Sequence, residues 1–84
     1  MEITIEDRAW LILSAARAQL MAAHLRQRIA MRRSERSISE ETIAECDRAS
    51  ADMGRAHDAA QAALIAWGRE SGIITEPGQV QWVA

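Results

Sequence analysis

Several residue types that stabilise small folded domains are scarce in this sequence or missing from it. The 84 residues include one cysteine and one proline but no phenylalanine or tyrosine. Because Cys46 is the only cysteine, an intramolecular disulfide is excluded, and we expect a protein of the reducing cytoplasm. A chain of this length encloses only a small core, so we expect its stability to depend on dense packing or on association.

Long apolar runs and lysine are also missing. No run reaches the roughly 18 consecutive apolar residues of a transmembrane helix, and no basic region followed by an apolar stretch opens the sequence. We therefore expect neither membrane insertion nor secretion. All ten basic residues are arginine. Arginine and the abundant alanine favour helices, and phenylalanine and tyrosine, typical of strands, are absent, so the composition predicts an all-α fold.

The net charge of −2 conceals two halves of opposite sign. Residues 1–36 carry seven arginines and four acids, for a charge of +3, whereas residues 37–84 carry three arginines and eight acids, for a charge of −5. Halves of opposite sign suit helices that lie side by side. The overall acidity argues against a general nucleic-acid-binding surface.

A capping box of Thr4 and Asp7 predicts the start of a first helix over about residues 5–33. Two neighbouring apolar rows follow this helix in alternating steps of four and three residues. The first row contains Leu11, Ala15, Ala18, Ala22, Leu25 and Ile29, and the second contains Ala9, Leu13, Ala16, Leu20 and Ala23. Together they are wider than a two-helix seam requires, so we expect more than one neighbour to bury them.

Ser39 is placed as the N-cap of a second helix over about residues 40–71, with Glu40 and Glu41 in its first turn. Gly72 supplies the left-handed residue that ends this helix. The apolar row of the helix contains Ile43, Cys46, Ser50, Met53, His57, Ala60, Leu64 and Trp67. Flanking alanines allow it to lie close to the first helix.

The polar segment between the helices is short enough to return the chain, so residues 1–72 are predicted to form one long antiparallel helical hairpin. Residues 73–84 are predicted to form a short extended C-terminal tail, with a turn at Pro77 and Gly78, that packs on the hairpin or on a partner. If the chain reverses direction near residues 34–38, residues that face each other across the two helices have numbers that sum to roughly 72. Because a lone hairpin has only one seam, we expect a four-helix bundle dimer or a higher oligomer.

Large apolar side chains gather at the open end of the predicted hairpin. We expect them to close the oligomer or to anchor another protein, because tryptophan is costly to expose and is enriched at binding hot spots. The candidate interface residues are Trp10, Leu11, Leu13, Leu64, Trp67 and Trp82.

Arginines gather at the closed end of the predicted hairpin. Guanidinium groups placed together can clamp phosphate or carboxylate, so the alternative function is binding of RNA or DNA, or sequestration of an anionic, nucleotide-type ligand. In that interpretation the hairpin resembles the RNA-binding hairpin dimers that regulate plasmids. The candidate anion-binding residues are Arg26, Arg28, Arg32, Arg33 and Arg36.

No residues form a recognisable catalytic, nucleotide-binding or cofactor-binding motif, so we expect the protein not to be an enzyme. A Cys/His zinc site needs four ligands, whereas His24, Cys46 and His57 are the only such residues. The favoured interpretation is a small helical protein that binds another protein and modulates or inhibits it. In size and architecture it resembles the small helical proteins with which bacteriophages disable host regulators and defence factors.

Overall fold

The protein is a helical hairpin, as the sequence predicts. The computed structural model describes residues 2–75 and 79–80. Helix α1 spans Ile5–Arg36 and helix α2 spans Glu40–Glu70, and the two pack against each other. Among the described residues, neither helix combines the length and the apolarity that crossing a membrane requires.

Local hydrogen bonds fix the starts of both helices. The backbone N–H of Asp7 donates to Thr4 Oγ1 over 3.0 Å, and the backbone N–H of Thr4 donates to Asp7 Oδ2 over 3.2 Å, which completes the predicted capping box. Helix α2 begins after Ser39, as predicted. Ser39 forms its capping box with Thr42, whose backbone N–H donates to Ser39 Oγ over 3.1 Å. These contacts satisfy backbone donors that a helix start would otherwise leave without partners.

Helix α1 is longer than the sequence predicts, and this shifts the pairing of the two helices. Arginine and glutamate are good helix formers, so the polar segment before Ser37 stays helical and only Ser37–Ser39 connect the helices. Trp10 contacts Trp67, and Gln27 donates a hydrogen bond to Ser50 over 3.1 Å. The residue numbers of paired positions therefore sum to about 77 instead of 72, an error of five residues, or roughly one and a half helical turns.

The seam between the helices is built from small residues. Within the described part of the chain, Leu13 is the only buried side chain larger than alanine. The remaining buried apolar residues are Ala9, Ala16, Ala23, Ala30, Ala60 and Ala63. Alanine allows close helix packing but buries little apolar area, so we expect the free energy of unfolding of a lone hairpin to be small.

Of the two apolar rows on α1, the second faces α2, and the first is mostly exposed, with Ala22 half-buried. We call the first row, Leu11 to Ile29 as given above, the outer row of α1. Its large members Leu11, Leu25 and Ile29 are 57%, 54% and 52% exposed. The expectation that His57 lies on the buried row of α2 is wrong, because its side chain is 63% exposed. The seam instead follows alanines, which let the helix axes come closer.

The chain leaves α2 through a left-handed residue. Gly72 has a φ of +80°, a conformation that glycine adopts without the steric cost other residues bear. Two short antiparallel strands follow, β1 at Ile74–Thr75 and β2 at Gln79–Val80. The predicted turn at Pro77 and Gly78 lies outside the described residues. The tail is thus extended where it is described.

Strand β1 is held against α2 by a close contact at a glycine. A Cβ atom added to Gly68 would lie 2.6 Å from Ile74 Cδ1 and 2.8 Å from Ile74 Cγ1, whereas a Cβ atom added to Gly54 would meet nothing within 4 Å. The missing side chain of Gly68 therefore makes room for Ile74.

The two helical glycines form a matched pair for a stability test. Gly54→Ala is expected to raise the free energy of unfolding by about 0.5–1 kcal/mol, because alanine restricts the unfolded chain and favours the helix. Gly68→Ala is expected to give a smaller gain or a loss, because Ile74 must move away from α2. Urea denaturation followed by circular dichroism measures both changes. Equal stabilisation by the two substitutions would contradict the packing of Ile74 on Gly68.

Candidate protein-interaction site

Two tryptophans meet at the open end of the hairpin. The ring centroids of Trp10 and Trp67 are 5.5 Å apart, with their planes tilted by 57°. Trp67 also packs on the core formed by Leu13, Ala16, Ala60 and Ala63. Tilted aromatic pairs of this kind contribute about 0.5–1.5 kcal/mol beyond the area they bury. Trp10 nevertheless remains 47% exposed, so much of its ring is available to a partner.

An open groove of about 470 Å³ lies on the side of α1 that carries Trp10. Its lining combines an apolar floor with a polar rim. Arg17, one of the rim residues, is seven positions after Trp10, which places the two on the same face of α1. The lining residues are Leu13, Arg17, Leu20, His57, Ala60, Gln61 and Leu64.

We call Trp10, Trp67 and this groove the tryptophan flank. Leu64, at the edge of the groove, is 50% exposed. The rim residue His57 has its Nδ1 atom 3.9 Å from Oδ1 of Asp58, and both side chains are well exposed. The flank therefore offers apolar contacts at its centre and charged groups at its edge, as protein-interaction sites do.

The structure separates the six interface residues that the sequence suggests. Trp10, Leu64 and Trp67 come together at the tryptophan flank. Leu13 is 3% exposed and belongs to the core of the hairpin, where it forms only the floor of the groove. Leu11 belongs to the outer row of α1, and Trp82 lies outside the described residues.

The five arginines of the closed end do not form one cluster. Arg26 and Arg33 line a depression of about 370 Å³ between the helices, and Arg28 and Arg32 line a separate one with Glu35. The first depression also contains Arg48 of α2, which is not among the five candidate anion-binding residues of the sequence. Helical spacing alone places Arg26 and Arg33 together, since seven residues make two turns.

Acidic groups share the first arginine depression. Arg33 Nη1 lies 3.7 Å from Oε1 of Glu45, whose side chain is 29% exposed. Asp52 also lines the depression and forms an ion pair with Arg55. Exposed ion pairs of this kind contribute little to stability, but they reduce the positive charge that a phosphate would meet.

Metal-ligating side chains are dispersed over the described residues. Nowhere in this part of the chain do three or more histidine, cysteine, aspartate or glutamate side chains gather in a way that could hold a metal ion. Cys46 is a free thiol and is half-buried on α2.

Comparison with known proteins gives no relative. The chain matches no protein-family model, and neither a curated protein nor a solved structure is significantly similar to it. Functional inference for this chain therefore starts from its surfaces.

Proposed function

We propose that this chain is a small helical interaction protein of the cytoplasm, which self-associates and binds another protein through the tryptophan flank. Binding modulates or inhibits that partner. The observation that carries the proposal is the exposure of Trp10 and Leu64 beside an open apolar groove, in a hairpin whose core is mostly alanine. Tryptophan anchors contribute disproportionately to binding free energy when a partner removes them from water.

The chemistry of the tryptophan flank indicates the kind of segment that fits it. A groove between two helices accepts an amphipathic helix whose apolar side chains recur every three or four residues. Arg17 at the rim favours an acidic side chain on that segment. The size and the hairpin fold support a phage-encoded inhibitor that is directed at a host regulator or defence factor, by resemblance of architecture alone.

The proposal is tested by substitution at the edge of the groove. Leu64→Glu is expected to weaken partner binding by about tenfold or more, because it places a charge among apolar contacts. Ala62→Glu, on the exposed face of the same helix, introduces the same charge and is expected to change binding by less than about twofold. Proteins retained on the immobilised wild type are identified, purified and titrated against both variants by calorimetry.

Two outcomes contradict protein binding at the tryptophan flank. The first is that wild type and Leu64→Glu retain the same proteins with equal affinity. The second is that no purified protein binds the wild type in calorimetry. Circular dichroism of each variant verifies that the hairpin is still folded.

A second candidate function is binding of RNA, DNA or a nucleotide-type anion. The favouring observation is that Arg26, Arg33 and Arg48 line one depression, with guanidinium groups supplied by both helices. Binding of a labelled oligonucleotide that falls steeply with salt, and that is lost in Arg26→Ala and Arg48→Ala, would establish this function instead.

A further inference from the structure

Most of the outer row of α1 is exposed in the hairpin, although Ala22 is half-buried and Ile29 lines the depression that contains Arg26 and Arg48. Its six residues follow steps of four, three, four, three and four, which keep them on one face for roughly 27 Å of helix. The face that contacts α2 is a different one, formed by Ala9, Leu13, Ala16, Ala23 and Ala30. An exposed row with the spacing of a coiled-coil seam indicates that another helix packs on it.

We infer that a second copy of this chain covers the outer row, with the two α1 helices packed antiparallel. The inference rests on the self-association proposed above and adds to it the face and the direction of contact. A two-fold axis near position 20 pairs Leu11 with Ile29 of the second copy. The same register pairs Ala15 with Leu25 and Ala18 with Ala22.

The sizes of the side chains suit this antiparallel register. At the centre, Ala18 and Ala22 are small, so the two helix backbones can come close to each other. Further out, Leu25 packs over Ala15 of the second copy, so a large side chain meets a small one. Arg8 and Arg32 are the next positions along the row in the two directions, and the same register places Arg8 opposite Arg32 of the second copy. This like-charge pair lies at the exposed ends of the apolar contact, where water and salt screen it.

Charge selects the antiparallel direction over the parallel one. Residues 2–8 contain three acids and one arginine, for a charge of −2, whereas residues 26–36 contain five arginines and one acid, for a charge of +4. Antiparallel packing places the acidic first turn of one α1 beside the basic last turn of the other. Parallel packing would place the two +4 segments side by side, and like charges in contact are repelled.

The resulting dimer leaves the tryptophan flanks accessible. The outer row lies away from the seam, so α1 and its copy form the centre of the assembly and each α2 lies on the outside. Both copies can then bind a partner at Trp10 and Leu64. The contact also buries Leu11, which assigns that residue to self-association and not to partner binding.

Disulfide cross-linking tests the face and the direction together. In a Cys46→Ser background, Leu11→Cys and Ile29→Cys are prepared as separate proteins, and one of them carries a mass tag. Under mild oxidation the mixture is expected to form a cross-linked heterodimer, because the two cysteines face each other across the seam. Each protein alone is expected to stay uncross-linked, since its two thiols are then roughly 27 Å apart. Cross-linking of each protein with itself would overturn the antiparallel direction.

Sedimentation velocity separates failure of this inference from failure of the proposed self-association. A Cys46→Ser protein that is monomeric at every concentration overturns both. A dimer in which the mixture forms no cross-link overturns only the assignment to the outer row. As an independent check, Ala18→Glu is expected to weaken dimerisation by about tenfold or more, and Ala62→Glu by less than about twofold. Equal effects of these two substitutions would also overturn the assignment.

Discussion

Leu13→Ala is expected to lower the free energy of unfolding by about 2–5 kcal/mol, the range for removing a buried leucine side chain. Leu13 is the only large side chain buried in the described part of the hairpin, and it packs with Ala16, Ala60 and Ala63. Alanine side chains cannot move far enough to fill the space that the leucine leaves. For a small domain with a low free energy of unfolding, a loss of this size leaves a large unfolded fraction at room temperature.

Chemical denaturation at several protein concentrations measures this effect. Leu11→Ala is the matched control. It removes the same atoms from a leucine that lies two positions before Leu13 and is 57% exposed. At concentrations where the chain is monomeric, Leu11→Ala is expected to change the free energy of unfolding by less than about 0.5 kcal/mol. Similar losses for the two variants would show that Leu13 is not the centre of the core.

Ala23→Leu is expected to lower the free energy of unfolding by about 1–3 kcal/mol, because the added side chain forces apart two helices that pack through alanine. Ala23 is 1% exposed in the seam and lines none of the depressions described above. Ala62→Leu adds the same atoms on the exposed face of α2 and is expected to change the free energy of unfolding by less than about 0.5 kcal/mol. Thermal and urea denaturation compare the two, and a stabilising Ala23→Leu would mean that the seam is loosely packed.

The helix starts could be predicted from the sequence because capping is local. Thr4 with Asp7, and Ser39 with Thr42, form their hydrogen bonds within one turn of the backbone. The end of α1 could not be predicted in the same way. The segment Arg32–Arg36 is polar enough to read as a loop but consists mostly of good helix formers, and no glycine or proline interrupts it.

The interaction surfaces were predictable only in part. The contact of Trp10 with Trp67 follows from the hairpin itself, because both lie near its open end. The two apolar rows of α1 have the same spacing, so the sequence alone does not show which of them faces α2. The answer depends on how closely the backbones of α1 and α2 approach each other. Arg48 joins Arg26 because the hairpin brings the two helices together, and the arginines counted near the closed end of α1 alone do not include it.

The three-residue connection at Ser37–Ser39 also determines the order in which the hairpin forms. Contacts next to the connection close short loops, whereas the contact between Trp10 and Trp67 closes nearly the whole length of the two helices. Folding is therefore expected to begin beside the connection, and the contacts near the open end to form later. Resistance to opening in the native state depends on burial, and the core of Leu13, Ala16, Ala60 and Ala63 lies toward the open end. Hydrogen exchange should accordingly be slower around Leu13 than beside the connection, where Ile38 and Ile43 are 82% and 51% exposed. The end that forms first is then the end that opens most often.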